Sequence, residues 1–216
     1  MKLNLNDITF IIVSYQSENI IKNCLDTLPK DSNKIIVENS NNINLKNDLK
    51  GKYDNIEVIL SKNVGMGAGN NIGLKACKTA YAFILNPDVK FYKDTMTNLS
   101  ESLNNINDFT LVTPLNDNLN LPNYKKIPLE KNTNNNILSV ESIDGFSMLF
   151  NLNKFKDKIF FDENFFLYLE NDDFCKRLID INENIYVVPK SKINHLGGKA
   201  VSSKFSEEVE LSRNWH

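Results

Sequence analysis

Three carboxylates fall within four residues at Glu170-Asn171-Asp172-Asp173. The run follows the aromatic stretch Phe165-Phe166-Leu167-Tyr168 and precedes a helical pattern through Phe174, Arg177, Leu178 and Ile181. Like charges repel, so a fold rarely crowds carboxylates beside apolar rings unless they receive a cation, a proton or a substrate hydroxyl. A second acidic signal lies upstream in Asn86-Pro87-Asp88-Val89, and a lone His195 stands downstream in Ile193-Asn194-His195-Leu196-Gly197-Gly198. Together they point to a metal-assisted transfer site assembled from three distant parts of one domain.

The order of strands and helices must bring those parts together. Residues 8–15 form a continuous apolar, β-branched run, the mark of a strand buried on both faces. Ser17 then caps a helix with Ile20, Ile21, Cys24, Leu25 and Leu28 on one face, ended by Pro29 and Asp31. Strands are expected at 34–38, 55–60 and 81–85, with a polar loop at 39–42, a Gly-rich segment at 63–70 and a helix through Lys75. This alternation predicts an α/β fold with a mostly parallel sheet. Binding residues of such a sheet lie just past the carboxyl ends of its strands, where Tyr15, Glu38, Asn63 and Asp88 all fall.

Beyond Asp88 the pattern predicts helices at 95–104 and 172–181, and strands at 110–113, 142–151 and 185–188. The polar stretch 116–136, with Pro122 and Pro128, reads as a long loop or lobe. It is too long for a simple connection, hence functional or mobile. Residues 212–216 carry no helix stop signal and read as an incomplete C-terminus.

Composition narrows the function classes. With 216 residues and 41% hydrophobic content, the chain suits one domain with a real core. A net charge of −2 leaves no basic footprint, which argues against a nucleic-acid partner. A small nucleotide stays compatible, because one cation and a few backbone N–H groups can neutralise a diphosphate. Cys24, Cys77 and Cys175 have neither metal-finger nor redox spacing and read as buried thiols in a reducing compartment. The start through Asp7 lacks a signal-peptide core, and no apolar run reaches membrane-spanning length. The expected location is the cytoplasm, with a peripheral contact at the inner membrane face left open. Asparagine supplies 35 residues, so a single Asn in a motif carries little weight.

Gly65-Met66-Gly67-Ala68-Gly69-Asn70 departs from G-x-G-x-x-G, since Asn70 stands where the third glycine belongs. It also follows the third strand, whereas the dinucleotide fingerprint follows the first. Two readings are evenly matched. One is a strand-to-helix turn needing glycine for positive φ or close packing; the other is a loop passing close to a ligand, with a helix N-terminus behind it.

Taken in order, these segments resemble a bacterial family 2 glycosyltransferase of the rhamnosyltransferase-like group. Ile11-Ile12-Val13-Ser14-Tyr15 resembles the family's opening strand, and Ile36-Val37-Glu38-Asn39-Ser40 its second-strand motif, with Glu in place of Asp. The segment from Asn63 to Gly73 resembles its Gly- and Asn-containing loop, and Leu-Asn-Pro-Asp-Val is present unchanged from Leu85 to Val89. The segments from Phe161 to Tyr168 and from His195 to Gly198 resemble its later motifs. The resemblance implies a single GT-A domain, with a donor-nucleotide half over about 1–113 and an acceptor half over about 114–200. It implies a donor site of Ser14, Tyr15, Glu38, Asn63, Gly67, Asn70, Asn86, Asp88 and Gly145, with Tyr15 and Glu38 on the base and ribose of a UDP- or dTDP-sugar. Asp88 and His195 would hold Mn²⁺ or Mg²⁺, and Asn86 replaces the first carboxylate of the commoner Asp-x-Asp.

An acceptor hydroxyl, on a glycan or a lipid-linked glycan, must lose a proton as it attacks. The resemblance places the base at Asn171, where an amide cannot accept that proton. Glu170 is the preferred replacement, as base or acceptor-hydroxyl ligand; Asp173 would position the acceptor or fix Arg177 and Lys176, and Asp172 is a further candidate. Asp172 and Asp173 suit a helix start equally well. Two functions follow: an inverting sugar transfer to a growing surface polysaccharide or lipid-linked glycan, or a module that binds nucleotide or glycan without turnover. A nucleotidyltransferase is the weaker third reading, because Ser14-Tyr15-Gln16-Ser17 is not a basic Gly-rich loop. The sugar, the linkage and the oligomeric state are not legible.

Overall fold

A computed structural model describes residues 3–104, 106, 108–118, 122–126 and 137–197. Gly198, the last residues of the chain and most of the 116–136 stretch lie outside the described residues. Among the described residues, ten strands are joined to five α-helices: β1 (Ile8–Ser14), α1 (Glu18–Leu25), β2 (Asn33–Glu38), α2 (Ile43–Lys52), β3 (Ile56–Leu60), α3 (Met66–Ala76), β4 (Tyr81–Leu85), β5 (Val89–Phe91), α4 (Thr95–Leu103), β6 (Leu111–Asn116), β7 (Tyr124–Lys126), β8 (Leu138–Ile143), β9 (Ser147–Asn151), α5 (Glu170–Asp180) and β10 (Ile185–His195).

The sheet order is β3-β2-β1-β4-β9-β6-β10-β8-β7, with β5 paired to β10. Its first four strands are parallel, as the short buried runs predict. Every residue of β1 is buried, because both faces of the sheet are covered. Phe10 and Ile12 pack with Ile21, Cys24 and Leu49 on one side. Ile11 and Val13 pack with Leu74, Phe150 and Phe174 on the other. Beyond β4 the sheet is mixed, since β9 runs antiparallel between β4 and β6.

Several boundaries differ from expectation, each for a local reason. The single strand at 142–151 is two strands, because the chain turns at Asp144-Gly145-Phe146. There the Asp144 N–H donates to the Asn123 carbonyl at 3.1 Å and the Asp144 carbonyl accepts from the Ser147 N–H at 3.4 Å. The last strand continues through Pro189 to His195; a register shift against β6 between Val188 and Lys192 takes up the proline. Helix α2 has no sequence forecast, because only Leu45 and Leu49 are buried along it; its start is fixed by Asn42, whose Oδ1 accepts from the Leu45 N–H at 3.0 Å. Ser17 stands at the α1 N-cap, yet its hydroxyl donates to the Tyr15 carbonyl at 2.9 Å. Strand β5 is likewise unforeseen, and α5 opens two residues early, at Glu170. Among the described residues, no helix is long and apolar enough to cross a membrane.

The Gly-rich segment is a turn followed directly by helix. Gly67 and Gly69 already lie within α3, while Gly65 has φ 90° and ψ 179°, a region open essentially to glycine alone. A β-carbon at Gly65 would also strike the Phe166 carbonyl oxygen, the acceptor of the Met66 N–H at 2.9 Å. Gly65→Ala is therefore expected to lose about 1–3 kcal/mol. Gly51→Ala is the control, since nothing lies within 4 Å of an added β-carbon and the residue is in α2. It should gain up to about 1 kcal/mol. Urea midpoints of the two variants check both signs.

Candidate active site

Three strands place the first residues of the site. Ser14 ends β1, Glu38 ends β2, and Asp88 follows β4 in a turn closed by the Val89 N–H on the Asn86 carbonyl at 3.1 Å. The backbone alone closes this turn, so the Asp88 side chain is left over from turn chemistry. It is 2% exposed, and neither of its oxygens has a hydrogen-bond partner. Strand β10, displaced by its register shift, then pairs antiparallel with β5 and sets His195 opposite Val89. His195 Nε2 comes to 3.2 Å from Asp88 Oδ1, close enough for charge contact but not aligned as a hydrogen bond.

The histidine is held from three directions. Its backbone N–H donates to Asn116 Oδ1 at 3.2 Å, the Leu196 N–H donates to the Asp88 carbonyl at 3.3 Å, and the Phe146 ring stacks on the imidazole at 3.9 Å and 17°. A buried carboxylate with both oxygens open, beside an imidazole nitrogen, is a donor set that fits a divalent cation. Without such a partner its burial costs several kcal/mol. Among the described residues no three His, Cys, Asp or Glu side chains converge on one metal position, so Asp88 and His195 are the two groups on offer.

Among the described residues, the other buried side-chain atoms without partners are Ser14 Oγ, Asn70 Oδ1, Ser147 Oγ and Glu170 Oε2. They gather at the same edge of the sheet. Ser147 begins β9 opposite Leu85, the last residue of β4, and Asn70 lies in the first half of α3. Glu170 opens α5 and packs on α3, its Cβ 3.3 Å from where a β-carbon of Gly67 would lie. Unspent hydrogen-bonding capacity in a buried rim is what a polar ligand needs.

Other expected donor residues shape loops. Glu38 is fully buried, and its carboxylate accepts from the Ser40 N–H, the Ser40 hydroxyl and the Asn42 N–H. Asn63 Oδ1 accepts from Asn39 Nδ2 and the Gly65 N–H, both at 3.2 Å. Asn86 donates its N–H to the Phe146 carbonyl at 3.0 Å, and Tyr15 is half-buried just past β1. Sequence reasoning gave no role to Asn39, Asn116 or Phe146. The abundance of asparagine hid the first two, and no signal marks the ring.

The acidic run disperses around one helical turn. Asp172 Oδ1 accepts from Lys125 Nζ at 3.0 Å and Ser142 Oγ at 3.1 Å. Asp173 bonds Arg177 at 2.9 Å, whereas Lys176 pairs with Asp180. Asn171 Nδ2 donates to the Ile143 carbonyl at 3.1 Å and packs on Gly145. Glu170 is pushed above the usual carboxylate range by burial, with the Asp172 charge adding to it. Tyr168 and Leu169, just before it, both take left-handed backbone (φ 67° and 68°). Such strain costs about 1–3 kcal/mol per residue and clusters at functional sites.

The sequence pattern of Glycosyl transferase family 2 matches residues 9–173, and the chain belongs to that family. It is 26% identical over 205 residues to the Low-salt glycan biosynthesis hexosyltransferase Agl10 of Haloferax volcanii, across 84% of this chain and 64% of that protein. The chain thus spans less than two thirds of that relative. Its fold is GT-A-like. It resembles the crystal structure of GalNAc-T7 with UDP, GalNAc and Mn²⁺, at TM-score 0.70 and 12% identity over 89% of this chain and 44% of that one. It also resembles residues 1–349 of S. aureus TarS in complex with UDP, at TM-score 0.62 and 14% identity over 86% and 59%.

The burial of Glu170 has a measurable sign. A raised folded-state pKa means that the folded chain holds this proton more tightly than the unfolded one. Stability therefore falls as pH rises from about 4.3 through the raised value. Glu170→Gln removes that loss, so its melting-temperature advantage over wild type should widen between about pH 4 and pH 7. A gap that stays flat across this interval would show that the acid is unperturbed.

Proposed function

We propose that this domain transfers a hexosyl unit from a UDP- or dTDP-sugar to a glycan or lipid-linked acceptor, with inversion at the anomeric carbon. The observation that carries this reading is the buried Asp88 carboxylate, open at both oxygens with His195 3.2 Å away, at the carboxyl edge of the sheet. Asp88 and His195 would hold Mn²⁺ or Mg²⁺, which when bound would screen the diphosphate and ease its departure. The unpartnered atoms of Ser14, Asn70 and Ser147 supply hydrogen bonds for the nucleotide and its sugar. Glu38 and Asn63 hold their loops in shape beside Tyr15, and Gly67 and Gly145 leave room where α5 closes in.

The donor half then runs to about residue 113, ahead of an acceptor half to about residue 200. Leu-Asn-Pro-Asp-Val, unchanged at 85–89, favours the rhamnosyltransferase-like group, and a cytoplasmic setting suits the three buried free thiols. A second reading, a module that binds without turnover, is favoured by Asn171, whose amide occupies the expected base position.

Melting temperatures with UDP-, dTDP- and GDP-sugars, with and without Mn²⁺, test the proposal. One uridine or thymidine nucleotide should stabilise the wild type only when Mn²⁺ is present, by about 2.7 kcal/mol at a hundred times Kd. Asp88→Ala and His195→Ala should remove the metal-dependent part. An unchanged metal-dependent shift in Asp88→Ala would sink the cation assignment, and binding with neither hydrolysis nor transfer of the donor would favour the module.

A further inference from the structure

Glycosyl transfer needs a base, and the nearby carboxylates of α5 are poorly placed for it. Asp172 is engaged by Lys125 and Ser142, and Asp173 by Arg177. Glu170 is 6% exposed and lies against α3 at Gly67, on the side of the rim whose unpartnered atoms are assigned above to the donor. Asp144 remains, in the turn between β8 and β9. Asn171 touches both of its neighbours: its amide donates to the Ile143 carbonyl at 3.1 Å, and its Cβ lies 3.5 Å from where a β-carbon of Gly145 would be. Two residues on, Phe146 stacks on His195. Asp144 therefore lies between the amide at the expected base position and the ring that backs the histidine.

The side chain is also available. Asp144 is partly exposed, and among the described residues its carboxylate meets no hydrogen-bond donor, while its N–H and carbonyl are used by Asn123 and Ser147. The charged groups that face it are Asp172 from α5, His195 from β10 and Lys125 from β7.

From these contacts the geometry points to Asp144 as the general base of sugar transfer, with Asn171 as the residue that positions it; the assignment rests on the transferase function proposed above. The acceptor O–H gives its proton to an Asp144 carboxylate oxygen, and the acceptor oxygen's electron pair forms the bond to the anomeric carbon. The bond from that carbon to the phosphate oxygen breaks, and its pair leaves with the nucleoside diphosphate. Burial, and then the Asp172 charge, push the Asp144 carboxyl up, which improves it as a proton acceptor. An amide suits position 171 because it can donate to the Ile143 carbonyl, where a carboxylate would meet a lone pair.

Turnover of UDP- and dTDP-hexoses, read as release of the nucleoside diphosphate, tests this. Asp144→Asn should lower kcat by about 10²–10⁴-fold, with donor KM and Mn²⁺-dependent UDP binding unchanged. Asp144→Glu should recover part of the rate, and Asn171→Asp should slow the enzyme. Retained kcat in Asp144→Asn, a larger loss in Glu170→Gln than in Asp144→Asn, or faster turnover in Asn171→Asp would each overturn the assignment. A rise in donor KM without loss of kcat would also overturn it, placing the carboxylate on the donor sugar. A wild type that binds these nucleotides but turns none over would instead defeat the transferase reading, and this assignment with it.

Discussion

Keeping the Asp88 carboxylate out of water beside His195 is the constraint around which the site is arranged. An isolated buried carboxylate is costly, and an imidazole at 3.2 Å without hydrogen-bond alignment offsets little of that cost. Much of the second half of the chain serves to hold the pair. Beyond its register shift β10 still pairs with β6 through Ile193 and also takes β5 as a neighbour, Asn116 anchors the His195 backbone, and Phe146 backs the ring. The charge of Asp88 is felt at the buried Cys24 thiol, which it helps to push upward after burial itself. The fold therefore spends stability at this one edge and recovers it elsewhere, chiefly in the two apolar layers that bury both faces of β1.

A second dependence runs from the loops after β2 and β3 to α5. Asn39 donates to Asn63 and to the Gly65 carbonyl, fixing the turn into α3. The open side of Gly65 admits the Phe166 carbonyl, and two left-handed residues later Glu170 begins its helix. Asn71 ties the same region from the other end through both the N–H and the carbonyl of Phe161. The Gly-rich turn and the acidic helix are thus one mechanical unit, which is how residues a hundred positions apart come to share one rim.

The parallel half of the sheet was legible because buried strands announce themselves. Runs such as 8–15, 34–38 and 81–85 need no context, and they placed Tyr15, Glu38 and Asp88 at or just past strand ends, where the structure has them. Position past a strand end does not say what a side chain does there. Glu38 looks like a ligand group in sequence, yet its oxygens are taken by its own turn. The acidic run looks like one cage, yet helix geometry sends its members in different directions. Asparagine carries the opposite lesson. In so Asn-rich a chain no single one stands out, but among the described residues burial picks out Asn39, Asn70, Asn71, Asn116, Asn123 and Asn151. The β8–β9 turn at Asp144 was hidden because apolar residues on both sides make one strand in any linear reading.

The direct measurement of the central claim is the electron spin-echo modulation of Mn²⁺ bound to the protein together with UDP. If Asp88 and His195 hold the cation, the spectrum carries coupling to an imidazole nitrogen, and that coupling disappears in His195→Gln while the UDP-dependent manganese signal persists. A wild-type spectrum without nitrogen coupling, or one that His195→Gln leaves unchanged, would contradict the account.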